Sequence, residues 1–315
     1  MLRYIVIMLD DTSVSYCHYK NPCTKRRLIP LDILHKGIVF AMKENVNIQF
    51  LYPDYDLPDD YQKEIETVDH IKILLHAIDS KEQVVVLNDW WKMSVNDAPS
   101  KKNVIIQTNL ELLLDNTEKV REILFRVSKL NIMLTGITGF KERDLWGYQA
   151  FLEEMSDHIV DLYKKGYKPQ LNILTDRLFL SEMNNCGAGD FCITLAPNGC
   201  FYICPAFYYN NPDNTIGSVE TSLGIKNPQL YKLSHAPICR ICDAYQCKRC
   251  IWDNCNTTMD CNTPSHEQCV VAHLERNASR KLIDKLGKAG VKLNDCQEIK
   301  EIDYFDPFII ANRWK

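Results

Sequence analysis

A chain of 315 residues with 46% hydrophobic side chains carries enough apolar material for a substantial core and, by length, for two domains. Its 37 basic and 41 acidic side chains give a net charge of −4 and are interspersed, with no single-sign run longer than residues 25–27, which speaks against a nucleic-acid partner. No apolar stretch reaches the ~20 residues of a membrane-crossing helix, and the apolar residues 4–9 run into Asp10 and Asp11 instead of a small-residue cleavage site, so a cytoplasmic protein without a membrane partner is expected.

Residues 3–9 form the first candidate strand, followed by the loop "DDTSVSYCHYKNPC" with Cys17, His18 and Cys23. Further candidate strands lie at 47–52, at 71–75 or 84–87, at 104–107, 132–134 and 171–174. The segment "HIKILLHAI" reads equally well as the end of a helix. In "TEKVREILFRVSKL" the residues Val120, Ile123, Leu124, Val127 and Leu130 recur at helical spacing behind a cap at Asn116 or Thr117. A second helical stripe runs Leu145, Tyr148, Leu152, Met155, Ile159 and Leu162, with Gly166 placed to end it. Strand and helix alternating in this way predict a mainly parallel sheet covered by helices, and six such units would make an open, partial (β/α)6 barrel.

After residue 176 the texture changes to short segments rich in Gly, Pro and Cys, then to a charged helix from Ala272, which places a domain boundary near residue 180 and gives domains 1–180 and 181–315. Of fourteen cysteines, Cys17 and Cys23 are the only ones before Cys186, and eleven fall between Cys186 and Cys269. In a reducing compartment such thiols point to metal rather than disulfides. Cys186 is followed after five residues by Cys192, and Gly199 after four by Cys204. Cys239, Cys242, Cys247 and Cys250 are spaced by two, four and two residues, and Cys269 comes last. Two-residue spacings set consecutive thiolates around a tight turn, as half of a metal site requires. Zinc is one reading, although the two CxxC pairs are closer together than a usual ribbon. Iron–sulfur clusters tolerate closely spaced, interleaved ligands. Cys200 and Cys296 read as packed thiols, while Cys255 and Cys261 add candidates.

This cysteine order resembles the SPASM domain that follows the catalytic barrel in radical S-adenosylmethionine (SAM) enzymes acting on peptides. The resemblance implies two [4Fe–4S] clusters, one held by Cys186, Cys192, Cys204 and Cys250, the other by Cys239, Cys242, Cys247 and Cys269. The central run departs from the pattern, since each of its last two gaps is one residue short. In the same enzymes the loop after the first strand carries CxxxCxxC for a SAM-binding cluster. With Cys17 aligned to the last of those cysteines, Val14 and Asp10 occupy the other two positions. Val14 cannot ligate and Asp10 is a poor ligand for a soft cluster. The glycine-rich turn after the second strand is also missing, because no glycine occurs between Gly37 and Gly136.

Taken whole, with "LDDTSVSYCHY", "AMKENVNIQFLYPDYDLP" and "TPSHEQCVVAHLERNASR", the chain resembles the CXXX repeat peptide maturases. The missing ligands and glycine turn predict a radical SAM-type barrel that does not cleave SAM, beside the auxiliary iron–sulfur domain, and the maturase resemblance implies a precursor peptide of Cys-x-x-x repeats and a separate radical SAM enzyme as partners. Cys17, His18 and Cys23, in a loop at the carboxyl end of the first strand, read either as an inherited loop or as a catalytic thiol site that exchanges with a substrate cysteine. The acidic loop with Asp54, Asp56, Asp59 and Asp60 reads as a solvated face or as contacts for a basic leader. Three functions are therefore expected in order: an accessory to peptide maturation, an independent thiol enzyme, or a zinc-stabilised binding protein.

Overall fold

The computed structural model describes residues 2–75, 83–221 and 223–299. In chain order its main elements are β1 (Tyr4–Met8), α1 (Leu31–Glu44), β2 (Asn47–Leu51), α2 (Asp59–Ile65), β3 (His70–Leu74), β4 (Gln83–Leu87), β5 (Asn103–Thr108), α3 (Leu110–Asp115), α4 (Thr117–Arg126), β6 (Lys129–Leu134), α5 (Glu142–Lys164), β7 (Gln170–Leu171) and α6 (Asp176–Phe179). They continue with β8 (Cys192–Leu195), β9 (Phe201–Tyr202), α7 (Pro205–Asn210), α8 (Ile251–Thr257) and α9 (His266–Lys288). The described residues fold as two compact units, one within 2–86 and 186–236, the other within 87–185 and 237–299.

In the first unit the strand order is β9-β8-β1-β2-β3-β4, parallel except for the β8–β9 hairpin. β1 is the centre: Ile5, Val6, Ile7 and Met8 have no exposed surface, the near-continuous apolar run expected of a parallel strand covered on both faces. β3 and β4 are both strands, paired through Lys72↔Gln83, where the sequence offered one or the other. Residues 76–78 of "HIKILLHAI" lie outside the described residues. α1 buries Leu34, Ile38 and Ala41 against the sheet. It comes so close that a Cβ on Gly37 would stand 2.4 Å from Cδ2 of Leu195, which is why that position carries no side chain. Cys192 opens β8 directly opposite Tyr4 of β1, so the sheet of this unit continues into the cysteine-rich stretch.

In the second unit β5, β6 and β7 are parallel, with β5 and β6 paired from Asn103↔Lys129 to Thr108↔Leu134. β7 pairs for two residues only, and the side chain of Asn172 then takes over the ladder: its Oδ1 accepts from the Ile132 amide at 2.8 Å and its Nδ2 donates to the Ile132 carbonyl at 3.0 Å. Val120, Ile123 and Leu124 of α4 are buried, as are Leu145, Tyr148, Leu152, Met155, Ile159 and Leu162 of α5, so both helical stripes face the core. Gly166 follows α5 at φ +85°. α9 begins at His266 rather than at Ala272, because Ser265 caps it by accepting from the Gln268 amide at 3.2 Å. Cys269 therefore sits in the first turn of a helix. α9 packs along α5, tied by Lys285 to Glu153 and Asp157, each at 2.6 Å. Among the described residues no helix is long and apolar enough to cross a membrane.

Between α5 and α9, Glu275 accepts from the Tyr148 hydroxyl at 2.8 Å and from Gln246 Nε2 at 3.4 Å. Burial raises its carboxyl from 4.5 to about 7, against the lowering effect of those two hydrogen bonds. A raised carboxyl favours the protonated folded state, so its contribution to stability is complete below about 4.5 and is lost as pH rises through about 7. Glu275→Gln cannot ionise and should lose less thermal stability between pH 5 and pH 8 than the wild type, by on the order of a few kcal/mol. Parallel melting curves for the two proteins across that range would show that Glu275 does not behave in this way.

Candidate metal-thiolate sites

The loop after β1 is a closed excursion. Asp10 and Leu28 bridge, Ile29 donates to the Leu9 carbonyl at 2.8 Å, and Asp11 donates to the Arg27 carbonyl at 3.2 Å. Asp10 has no exposed surface. Its Oδ1 accepts from the Thr12 amide at 2.8 Å and from the Thr12 hydroxyl at 2.6 Å, and its Oδ2 accepts from the Tyr55 hydroxyl at 2.9 Å. Ser13 accepts from the Asp10 amide at 3.0 Å and donates to the Leu51 carbonyl at 2.9 Å, while Val14 is buried. Tyr55 comes from the acidic loop after β2, where its ring lies under Arg26 at 4.1 Å. The two positions that would carry further cluster thiolates are thus parts of a satisfied turn.

The rest of the loop is held against α7. Asn21 Nδ2 donates to the carbonyls of Asp11 and Ser13 and to the Tyr209 hydroxyl, each at 2.8 Å. Asp11 accepts from the Tyr208 hydroxyl at 2.5 Å and pairs with Arg27 Nε at 2.8 Å, and Arg27 also donates to Tyr208. Tyr19 packs between Tyr16 and Tyr209, with ring centroids at 6.2 and 5.8 Å. Cys17, His18 and Cys23 are half-buried on this loop. The Cys23 thiol is pushed up by burial and then by Asp11, with Arg27 opposing, and its amide donates to Asn21 Oδ1 at 2.8 Å. A raised thiol is a weak nucleophile near neutral pH.

Three of the expected ligands lie in the first unit. Cys186 precedes a turn in which Gly187 and Gly189 take φ +59° and +79°; a Cβ there would stand 2.2 Å from the Phe191 ring and 2.6 Å from the Tyr231 ring. Cys192 is buried at the start of β8, and Cys204 stands at the N-cap position of α7. Tyr4 donates its hydroxyl to the Cys186 carbonyl. Burial, then Cys186, Cys204 and Cys17, push the Cys192 thiol well up. Cys204 is raised by burial, then by Cys186, with Cys17 contributing further.

Five expected ligands lie in the second unit. Cys239 and Cys242 flank a 3-10 turn closed by the Cys242 amide on the Cys239 carbonyl at 3.2 Å. Cys247 is pushed up to about 12, by burial first and then by Cys239 and Cys242. Cys250 caps α8, its Sγ accepting from the Asp253 amide at 3.5 Å. Cys269 is buried in the first turn of α9, and His273, one turn on, stands with Nε2 3.7 Å from Cys242 Sγ. Burial and then Arg276 hold His273 down to about 3, so it is neutral. Behind these thiols Arg276 pairs with buried Asp243 at 2.6 Å, and Arg177 donates to the Asp243 carbonyl at 2.7 Å. Cys255 is raised to about 11 by burial and then by Cys261, so these two neighbour one another. Cys200 and Cys296 are half-buried, and burial raises both thiols.

Among the described residues no three His, Cys, Asp or Glu side chains are arranged to hold one metal ion. A single zinc draws four thiolates to ~2.3 Å around one point, whereas a four-iron cube takes one thiolate at each corner. The donors here are all soft thiols, the ligand type that iron–sulfur clusters take. Sequence reasoning missed Tyr55, Asn21 and His273. Only His273 had a local signal, its helical i, i+4 spacing from Cys269.

No protein-family model matches the sequence, and no curated protein matches it significantly. Solved structures do. Hexahistidine-tagged anSMEcpe with bound AdoMet matches with TM-score 0.57 at 12% identity over 91% of this chain and 100% of that one. Native anSMEcpe with bound AdoMet and Cp18Cys peptide matches with TM-score 0.56 at 10% identity over 91% and 100%. Streptococcus suis SuiB bound to precursor peptide SuiA matches with TM-score 0.50 at 13% identity over 85% and 76%. At these identities the likeness is one of fold: a parallel sheet with helices, as in radical SAM enzymes that carry a SPASM domain.

Proposed function

We propose that this chain is a peptide-maturation protein which works with a separate radical SAM enzyme on a Cys-x-x-x repeat precursor and does not cleave SAM itself. The observation that carries the reading is the Asp10 turn. A SAM-cleaving cluster needs three converging thiolates on this loop, and here Asp10 is spent on Thr12 and Tyr55 while Val14 is packed inside. Tyr55 also ties the loop after β2 to the loop after β1, where the related enzymes keep a glycine turn for the cofactor. Solved structures of this fold include anSMEcpe with AdoMet and a peptide and SuiB with its precursor peptide, which supports a peptide ligand. The division into a barrel to residue 180 and an auxiliary iron–sulfur domain beyond it, and a cytoplasmic location, belong to this proposal. So do two [4Fe–4S] clusters on the thiols of Cys186 to Cys269. Their use would be structural or as an electron route to the partner enzyme.

Protein purified without oxygen should be brown and contain about eight irons per chain, from two four-iron clusters. Stoichiometric zinc in colourless protein would favour the zinc-stabilised alternative instead. Reduced, cluster-filled protein incubated with SAM should give no 5′-deoxyadenosine above a buffer control. Turnover that disappears in Cys17→Ala would mean that the opening loop does bind a catalytic cluster.

The partner reading is tested by co-expression. The radical enzyme and the peptide should co-purify with this chain, and the modified peptide mass should appear only when both proteins are present. Equal modification by the radical enzyme alone, with no binding of either partner, would sink the accessory role and favour independent thiol chemistry at Cys17, His18 and Cys23.

A further inference from the structure

The second unit has a cleft of about 770 Å³ that none of the expected thiol ligands lines. It lies at the amino ends of β5, β6 and β7, where Asn103, Lys129 and Gln170 begin the three strands, whereas parallel sheets covered by helices keep their chemistry at the carboxyl ends. Lys101, Arg126, Lys129 and Lys168 line it, and no Cys, His, Asp or Glu is among its described lining residues. A cleft of this composition is built to hold a ligand rather than to transform one. Lys129 is paired with Asp176 at 2.7 Å, but Lys101 and Lys168 are exposed and meet no carboxylate among the described residues. Arg126 is fixed in place, its Nη1 donating to Asn96 Oδ1 and its Nη2 to the Asn96 carbonyl, both at 3.2 Å. The Lys101 amide donates to the Arg126 carbonyl at 2.8 Å, and Lys101 takes φ +55°, a conformation unfavourable for a residue with a Cβ. The same cleft holds the rings of Phe125 and Tyr167, 48% and 50% exposed, with centroids 4.9 Å apart. Cations without partners beside an aromatic pair left in water have the composition of a recognition surface, not of a solvated face.

We propose that this cleft docks an acidic segment bearing an aromatic side chain, carried by the peptide ligand outside its Cys-x-x-x repeats. The inference deepens the peptide reading above and rests on it for the kind of ligand. Carboxylates of the segment meet Lys101, Arg126 and Lys168, and its aromatic side chain packs on Phe125 and Tyr167. A single-stranded nucleic acid also takes cations and rings. The chain as a whole carries a net charge of −4, however, which opposes a long polyanion while leaving room for a short acidic segment at one basic cleft.

Fluorescence anisotropy on the full chain tests this with a short labelled peptide of Asp and Glu around a central Phe, its Lys counterpart, and an oligothymidylate of equal length. The acidic probe should bind, the basic one should not, and added salt should weaken the complex. Lys101→Glu combined with Lys168→Glu should weaken it by about tenfold or more. Phe125→Ala combined with Tyr167→Ala should weaken it a few-fold. Melting temperatures should hold in both, since all four side chains are exposed. Should the charge reversal misfold, Lys101→Gln with Lys168→Gln decides by a smaller loss of the same kind. Equal binding by the wild type and the lysine variants, or tighter binding of the oligothymidylate, would overturn the proposal. So would binding that appears only once residues 300–315 are removed, which would give the cleft to the chain's own acidic segment "EIDYFDPF". A synthetic Cys-x-x-x repeat peptide, with and without the acidic probe joined to it, separates this inference from the reading beneath it. The joined segment should raise affinity for the wild type and not for the reversal variant. No gain while the repeats bind would overturn the cleft proposal and leave the peptide reading intact. Failure of the repeats to bind, with the acidic probe still held, would overturn the peptide reading and keep the cleft as a site for acidic segments.

Discussion

Asp10 has no access to water at the end of the central strand, and a carboxylate in that position must be fully hydrogen-bonded to stay there. Thr12 and Tyr55 between them satisfy both oxygens. Burial, with Asp10 next, raises the Tyr55 hydroxyl, so it remains a donor. This one group sets the path of everything that follows β1. It turns the chain at Ser13, buries Val14, and leaves the loop to return at Leu28 beside the strand it left. A mobile, solvent-facing ligand loop cannot be built on the same residues, because removing either partner would leave a buried carboxyl oxygen unsatisfied.

The thiol sites depend on backbone positioning in a comparable way. Gly187 and Gly189 take left-handed conformations against aromatic rings, so these two positions of the turn between Cys186 and Cys192 have room for no side chain. Cys204 and Cys250 stand at helix N-caps and Cys269 in a first helical turn. A helix start favours negative charge through its unpaired amides and dipole, so these placements suit thiolates. Three of the eight expected ligands thus stand at helix starts.

Much of this was legible in the sequence for local reasons. The strands were readable as short β-branched runs, and the stripes of α4 and α5 as helical periodicity, because each reports burial of one face within a few residues. The CxxC at Cys239 and Cys242 encodes its own turn. What escaped was decided at long range. Nothing near Tyr55 announces a bond to Asp10, and nothing near Asn21 announces the Tyr209 hydroxyl. The start of α9 carries its own local signal, since Ser265 followed by Gln268 is a capping pattern. The Asn172 bridge to Ile132 has no sequence signature, because a side chain there stands in for strand backbone.

The thiols themselves are electrically consistent with this construction. Burial pushes Cys192, Cys204 and Cys247 up, so without metal they are neutral and the folded chain is not asked to hold a cluster of buried anions. A bound iron centre, as proposed, would invert that logic, since its positive charge would favour the thiolates that the surroundings disfavour. The backbone can therefore be laid down by hydrogen bonds and apolar packing alone, with Tyr4, Gly187 and the α7 cap fixing where the sulfurs lie. On the proposed reading, metal binding would then add a cross-link to elements already fixed by the fold. For the opening loop the consequence is specific. Its Asp10 end is fastened by a buried carboxylate and its Tyr19 to Asn21 stretch by α7, so Cys17 sits between two fixed points and has little freedom to swing outward toward a substrate thiol.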